Sequence, residues 1–80
     1  MTVLFEYRPV TLDAGYGDTE GMLVFRNGRL LAVVTRLGDL HAGLAGAWFI
    51  EAVFNGAVGH PREPFADLAS LEAWMSRALG

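Results

Sequence analysis

The dipeptide Asn27-Gly28 constrains the fold of this chain more than any other feature of its sequence. It separates two apolar runs, residues 22–25 and 30–34. A two-residue type I′ turn requires positive φ at both central positions, which Asn tolerates and Gly adopts freely. We therefore predict a β-hairpin over residues 21–37. The turn also predicts its register: Arg26 opposite Arg29, Phe25 opposite Leu30, Val24 opposite Leu31, Leu23 opposite Ala32 and Met22 opposite Val33.

Alternation of side chains along the two strands predicts a hairpin that is apolar on both faces, because successive residues of a strand point to opposite sides. The charged residues of the hairpin lie at its rim. The first predicted face carries Leu23, Phe25, Leu30, Ala32 and Val34. The second predicted face carries Met22, Val24, Leu31 and Val33.

Two further strands are predicted on either side of the hairpin. Residues 3–8 alternate with period two, and Pro9 then either ends the strand or lies on a sheet edge with that position facing solvent. Residues 47–54 form the other strand, and strict alternation places Ile50 and Val53 on opposite faces. Residues 11–19 and 38–46 are rich in Gly and Asp and are predicted to be loops.

Residues 67–79 predict a single helix. Asp67 is suited to accept hydrogen bonds from the first-turn amides, and Arg77 suits the negative C-terminal end. About thirteen residues are too few for a stable isolated helix, so its apolar stripe must be buried. That stripe consists of Leu68, Leu71, Met75 and Leu79, with Phe65, Trp74 and Ala78 beside it. The chain is thus predicted to form one α+β domain over residues 1–80: a four-stranded antiparallel meander with a C-terminal helix on one face (ββββα).

One helix, about 10–12 Å wide, cannot cover a four-stranded sheet whose strands are about 4.8 Å apart. We place the helix on the first predicted face, because the second carries more charge at its rim. The second face is then expected to bind protein, either a second copy of the chain or a heterologous partner. The predicted partner-binding residues are Met22, Val24, Leu31 and Val33 on that face, Arg26 and Arg29 at the hairpin tip, and Tyr16 in the preceding loop.

Arg26 and Arg29 are predicted to lie directly opposite each other, and like charges in that position are mildly unfavourable. A carboxylate from a partner would relieve the repulsion. Fraying of an exposed turn would relieve it equally well. The sequence leaves both interpretations open.

Groups capable of catalysis or metal binding do not form a recognisable constellation. The chain has no cysteine. His41 and His60 lie far apart in predicted loops, where solvated imidazoles are the commoner case. Asp13 and Asp18 lack the alternating ligand positions of a calcium loop. We therefore expect a protein that is not an enzyme and that uses no metal or cofactor.

The net charge is −3, and all six basic residues are arginines spread along the chain. No basic run matches a phosphate-tracking surface, so we expect no nucleic-acid partner. The N-terminal segment resembles no secretion signal, and no apolar run has the length of a membrane span. We expect a cytoplasmic protein with no membrane partner. The use of Arg without Lys favours a GC-rich bacterial or phage gene.

Two other functions are compatible with the sequence. The Asn27-Gly28 hairpin followed by a closing helix with the pattern Phe65-x-Asp67 and Leu71-Glu72-x-Trp74 resembles small anti-CRISPR proteins. That resemblance implies a phage-encoded inhibitor that docks on a host protein complex. The second alternative is a small-molecule binder that uses His41, His60, Tyr16 or Glu51. Self-association through the uncovered sheet face is the function that we expect first.

Overall fold

The chain folds into one antiparallel sheet followed by one helix. A computed structural model describes residues 5–13, 15, 19–38, 43, 45–56, 59 and 61–79. The strands β1 (Phe5–Thr11), β2 (Glu20–Arg26), β3 (Arg29–Arg36) and β4 (Trp48–Val53) are neighbours in chain order, and the helix α1 (Leu68–Leu79) follows them. The predicted ββββα architecture is confirmed.

The hairpin turn has the conformation that its sequence predicts. Asn27 has a φ of 51° and Gly28 a φ of 81°, as a type I′ turn requires. Next to the turn the register is also as predicted, with Arg26 paired to Arg29 and Phe25 paired to Leu30. Local turn chemistry therefore fixes the first two pairs of the hairpin.

Beyond those pairs the predicted register is wrong. The pairing shifts between Val24 and Phe25, so that Val24 lies opposite Ala32 and Leu31 is the extra residue of a β-bulge. Leu31 is only 4% exposed, and its carbonyl oxygen accepts a hydrogen bond of 2.9 Å from the amide of Phe54 in the segment after β4. The remaining pairs are Leu23 with Val33, Met22 with Val34 and Gly21 with Thr35.

A second irregularity interrupts the alternation of β4. Val33 pairs with Ala52 and Val34 pairs with Ile50, which leaves Glu51 as the extra residue. Ile50 and Val53 consequently both contact the core, although strict alternation placed them on opposite faces. One extra residue is sufficient to exchange the faces of every residue beyond it.

The first strand passes through Pro9 and ends at Thr11. Pro9 pairs with Met22 of β2, and β1 is the outermost strand on that side of the sheet. Of the two interpretations of Pro9, the edge strand is therefore the observed one. An edge position accommodates proline because its missing N–H is not needed for pairing to a further strand.

The helix begins as its sequence predicts. The amide of Ser70 donates a hydrogen bond of 2.8 Å to Oδ1 of Asp67, which caps the first turn. Just before the cap, Phe65 exchanges two backbone hydrogen bonds of 2.7 Å with Trp48, so this segment is fixed to the outer edge of β4. The Phe65 ring also contacts Trp74, with ring centroids 5.6 Å apart. These contacts set the direction in which α1 enters.

The core lies between α1 and the face of the sheet that carries Met22 and Val24. Leu71 and Met75 of α1 are 0% and 1% exposed and join the same cluster as the buried sheet residues. Those sheet residues are Val24, Leu31, Ala32, Val34 and Ile50, and Met22 packs against them. We call this side of the sheet the covered face.

The predicted position of the helix is therefore wrong for most of the residues named. Of the first predicted face, Ala32 and Val34 lie under α1, whereas Leu23, Phe25 and Leu30 belong by pairing to the opposite side. The bulge at Leu31 is the physical reason why each face mixes the two predicted ones, because beyond it Ala32 and Val34 of β3 share a side with Met22 and Val24 of β2. Charge at the rim of the second predicted face did not keep α1 from covering Met22 and Val24.

Candidate interaction surface

Three rows of paired residues form the side of the sheet opposite α1, which we call the open face. The rows are Glu6–Phe25–Leu30, Arg8–Leu23–Val33–Ala52 and Val10–Gly21–Thr35–Phe49. Most of the apolar side chains in these rows are half-buried by their neighbours, and Leu30 is 39% exposed. The open face is thus apolar along its middle.

The β1 margin of the open face carries charges of both signs. Glu6 and Arg8 are both exposed and lie two residues apart on this edge strand. The guanidinium carbon of Arg8 lies 5.3 Å from the centroid of the Phe25 ring. At this distance the cation is attracted by the aromatic face, so Arg8 is held over the sheet rather than extended away from it.

The β4 margin carries a carboxylate. Glu51 is exposed, and its Oε1 accepts a hydrogen bond of 3.1 Å from the hydroxyl of Thr35, which is only 3% exposed. Glu51 is the extra residue of the β4 bulge and directly precedes Ala52, which belongs to the same row as Arg8. The backbone of Glu51 therefore lies at nearly the same position along the strands as that of Arg8. The backbones of a cationic and an anionic residue therefore stand at opposite margins at nearly the same level, although the guanidinium group of Arg8 reaches the Phe25 row and the carboxylate of Glu51 reaches the Thr35 row.

One end of the open face is covered by the chain itself. A Cβ atom built on Gly21 would lie 2.9 Å from Cγ of Leu12, so the Leu12 side chain packs directly on the Gly21 backbone. Any larger residue at this position would displace the Leu12 side chain, so glycine permits that close approach. The accessible apolar surface is thereby concentrated around Leu23, Phe25 and Val33.

A separate cleft of about 410 Å³ lies at the hairpin tip. We call it the tip cleft, and its lining residues are Arg26, Arg29, Leu30, Leu31, Phe54, Asn55 and Gly56. Phe54 is 62% exposed, an unusually large fraction for an aromatic side chain. Nε of Arg26 is buried without a hydrogen-bond partner. The cleft is thus lined by an accessible ring and by two arginine residues.

The structure separates the predicted partner-binding residues. Val24 and Leu31 are 0% and 4% exposed and lie in the core, and Met22 packs against it, so these three do not belong to an uncovered face. Val33 lies on the open face. Arg26 and Arg29 line the tip cleft. Tyr16 lies outside the described residues.

Sequence reasoning did not select Arg8 or Phe54, and it named Glu51 only as a residue of the alternative small-molecule binder. Each was assigned to a strand, but its position on a surface depends on strand order and on the two bulges. Phe54 carried the clearest signal, since a large apolar side chain immediately before the Asn55-Gly56 turn has few neighbours to cover it.

Two side-chain contacts outside these surfaces join different secondary-structure elements. The Tyr7 hydroxyl donates a hydrogen bond of 2.7 Å to Oε1 of Glu72, which links β1 to α1. Burial raises the pKa of Tyr7, and the bonded Glu72 carboxylate raises it further. At the other end of the sheet Arg36 and Glu20 form an exposed ion pair of 3.0 Å. Exposed pairs of this kind contribute little to stability.

Metal ligands do not cluster within the described part of the chain, where no group of three acidic, histidine or cysteine side chains could hold an ion. His41 and His60 lie outside that part. Across the same residues, no helix has the length and apolar character needed to cross a bilayer. No family model matches the chain, and no curated protein or solved structure is significantly similar to it.

Proposed function

We propose that this protein is a non-enzymatic interaction module that forms a homodimer through its open face. The observation that carries the proposal is the placement of charge around the apolar rows. The backbone of Arg8 stands at the β1 margin and that of Glu51 at the β4 margin, at nearly the same level along the strands. A surface with a cation at one margin and an anion at the other is complementary to a second copy of itself.

The symmetry of such a dimer follows from the strand order. Sheets that pack face to face keep their strands within about 30° of parallel. A two-fold axis parallel to the strands and located between β2 and β3 places β1 of one protomer over β4 of its partner, at an unchanged level. The backbone of Arg8 in each protomer then lies opposite that of Glu51 in the other, so the two side chains can pair if Arg8 leaves the Phe25 ring and Glu51 leaves the Thr35 hydroxyl. An axis perpendicular to the strands would instead place β1 over β1 and would not make this pair.

The middle of the interface would be apolar. Leu23, Phe25 and Val33 would meet the same residues of the partner, and their burial supplies the favourable free energy. Four strands over about six residues give a footprint of roughly 400 Å² per protomer. Stable interfaces bury about 800 Å² of accessible surface per partner. We therefore expect a weak dimer whose population rises with protein concentration.

The first test is sedimentation equilibrium of the wild-type chain over a wide concentration range, compared with Val33→Asp. The introduced carboxylate lies at the centre of the proposed interface, so this variant should be monomeric. Ala69→Asp, at an exposed position of α1, introduces the same charge away from the sheet and should dimerise like the wild type. Thermal melting confirms that both variants are folded.

Val33→Thr serves as a second variant if Val33→Asp does not fold. It keeps the β-branched shape but adds a hydroxyl at the proposed contact, so it should weaken the dimer measurably. A wild-type chain that stays monomeric at millimolar concentration would overturn the proposal. So would a Val33→Asp variant that is folded and dimerises as strongly as Ala69→Asp.

The same proposal places the dimer in the cytoplasm of a bacterium or of a phage-infected cell. It is supported by a sequence without cysteine, which needs no oxidising compartment, and by the use of arginine alone as the basic residue. The phage-encoded inhibitor and the small-molecule binder stay predictions from the sequence, because no contact described above favours either over the homodimer.

A further inference from the structure

The two arginines at the hairpin tip remain paired in the folded chain. Arg26 lies opposite Arg29 across a formed type I′ turn. Like charges directly opposite each other on a hairpin are unfavourable. An anion that lies between the guanidinium groups would relieve this repulsion.

No acidic residue is among the described residues that line the tip cleft. The ion pair between Arg36 and Glu20 lies at the other end of the sheet. Nε of Arg26 is a buried donor with no hydrogen-bond partner. A carboxylate in the cleft would be able to accept charge-assisted hydrogen bonds from the accessible nitrogens of the guanidinium groups.

The apolar residues that line the cleft restrict the kinds of ligand that it can bind. Phe54 is 62% exposed and Leu30 is 39% exposed, and both line the same cleft as the two arginines. A ligand that fits both features has a carboxylate next to an apolar group. Aromatic residues and arginine are also the side chains most enriched among the residues that dominate binding energy at protein interfaces.

We infer that the tip cleft is a second binding site, which takes an acidic side chain flanked by an apolar side chain on the surface of a heterologous protein. The cleft is wide open, as the exposure of Phe54 and Leu30 shows. Small-molecule sites usually enclose most of the surface of their ligand. An open cleft better suits a side chain that a larger surface presents, since the surrounding surface then excludes the water.

This inference goes beyond the homodimer and concerns a different part of the molecule. The tip cleft lies at the end of the sheet, whereas the proposed dimer is centred on Leu23 and Val33. Leu30 is shared by the two surfaces, but the arginines and Phe54 are not. Binding at the cleft can therefore be measured on the Val33→Asp variant, in which the dimer interface is disrupted.

The test is an NMR titration of the full chain, in which the Nε–H resonances of the arginines are followed. The probe is the peptide acetyl-Asp-Phe-amide, and acetyl-Asn-Phe-amide is the matched neutral control. The aspartyl peptide should shift the resonances of Arg26 and Arg29 and bind at least tenfold more tightly than the asparaginyl peptide. Equal binding of the two peptides would overturn the inference.

Three variants locate the site. Arg26→Gln and Arg29→Gln should each weaken binding of acetyl-Asp-Phe-amide about tenfold, because each removes one charged hydrogen-bond donor. Arg62→Gln removes a charge from an exposed residue that does not line the cleft and should leave the affinity unchanged. If all three variants bind alike, the site is not the tip cleft.

Sodium benzoate distinguishes a protein side chain from a small aromatic acid. It carries a carboxylate and a ring but no peptide backbone, so it should bind more weakly than acetyl-Asp-Phe-amide. Benzoate that binds more tightly than the peptide would show that the cleft takes a free carboxylic acid, and the inference of a protein ligand would be wrong. The Val33→Asp background gives these results whether or not the homodimer exists.

Discussion

The two faces of the sheet differ in what lies against them: the covered face packs against α1, whereas the open face is bordered by charged residues. On the covered face, Leu71 and Met75 of α1 close over Val24, Val34 and Ile50, which are almost completely removed from solvent. On the open face, half-buried apolar side chains lie between a margin with Glu6 and Arg8 and a margin with Glu51. A permanent core tolerates no unpaired charge, whereas a surface that binds reversibly uses charge to align its partner. Apolar character alone therefore does not identify which face of the sheet forms the core.

The largest difference is expected between leucines on opposite sides of the sheet. Leu71→Ala should lower the free energy of unfolding by about 2–5 kcal/mol, because it leaves a cavity in a fully buried site. Leu23→Ala removes the same atoms from a half-buried site and should cost about 1 kcal/mol or less in the monomer. Urea unfolding at low protein concentration measures both. Equal losses would show that the open face is as buried as the core.

The hairpin turn determines which residues reach each face, and Gly28 tests it. At a φ of 81°, alanine is strained, so Gly28→Ala should destabilise the fold by about 1–2 kcal/mol. Gly56 also follows an asparagine, but its φ is not positive and no atom lies within 4 Å of a built Cβ. Gly56→Ala should therefore leave the melting temperature unchanged or raise it slightly. A reversal of that order would mean that the first turn does not control the register.

Tyr7 holds β1 to the helix on the covered face. Tyr7→Phe should cost about 0.5–1 kcal/mol, the usual contribution of one hydrogen bond at a partly exposed site. The folded pKa of Tyr7 is raised above its ordinary value of 10.0, so the unfolded chain releases this proton first as the pH rises. Wild-type stability should fall above pH 10 through this group. Tyr7→Phe should show a smaller alkaline loss, and an identical alkaline profile would contradict the contact with Glu72.

The smallest effect is expected at the start of α1. Hydrogen bonds from Ser70 lower the pKa of the Asp67 carboxyl below its ordinary value of 3.8. Its contribution to stability is therefore complete above that value and is lost as the pH falls through the lower folded pKa. Asp67→Asn should keep the cap at neutral pH but flatten the acid side of the stability profile. Glu63→Gln, at an exposed position before the cap, is the control that should retain the wild-type slope.

Local chemistry was sufficient to predict the elements of the fold. A turn at Asn27-Gly28 and a cap at Asp67 each depend on only a few neighbouring residues, and both are observed. The order of strands and the single helix followed from these signals and from apolar periodicity. Which face the helix covers could not be predicted in this way, because a bulge depends on whether Leu31 gains more from burial than the hairpin loses from an interrupted ladder.

Local sequence signals predicted only part of the candidate interaction surfaces as well. Arg26 and Arg29 were found because they adjoin the turn, where the register is fixed by local geometry. Met22, Val24 and Leu31 were assigned to the uncovered side because charge at the rim of their predicted face was taken to exclude the helix, whereas they lie in or against the core. The Arg8 and Glu51 margins depend on the position of β1 and β4 at opposite edges of the sheet. The sequence of neither strand indicates that β1 and β4 lie at opposite edges of the sheet.

The most direct test of the central claim, that the open face pairs with itself about an axis parallel to the strands, is to mix two charge-reversed variants. In Arg8→Glu both proposed contacts become pairs of carboxylates, and in Glu51→Arg both become pairs of guanidinium groups. Each variant alone should dimerise roughly ten- to thirty-fold more weakly than the wild type, since two rim pairs of about 1 kcal/mol each are lost. In the mixture every contact again joins opposite charges.

Sedimentation velocity of each variant alone and of the equimolar mixture gives the answer. The account predicts that each variant alone is largely monomeric at a concentration where the wild type is dimeric, and that the mixture restores the dimer. Dimers of both separate variants as stable as the wild type, or a mixture no more associated than its components, would contradict it.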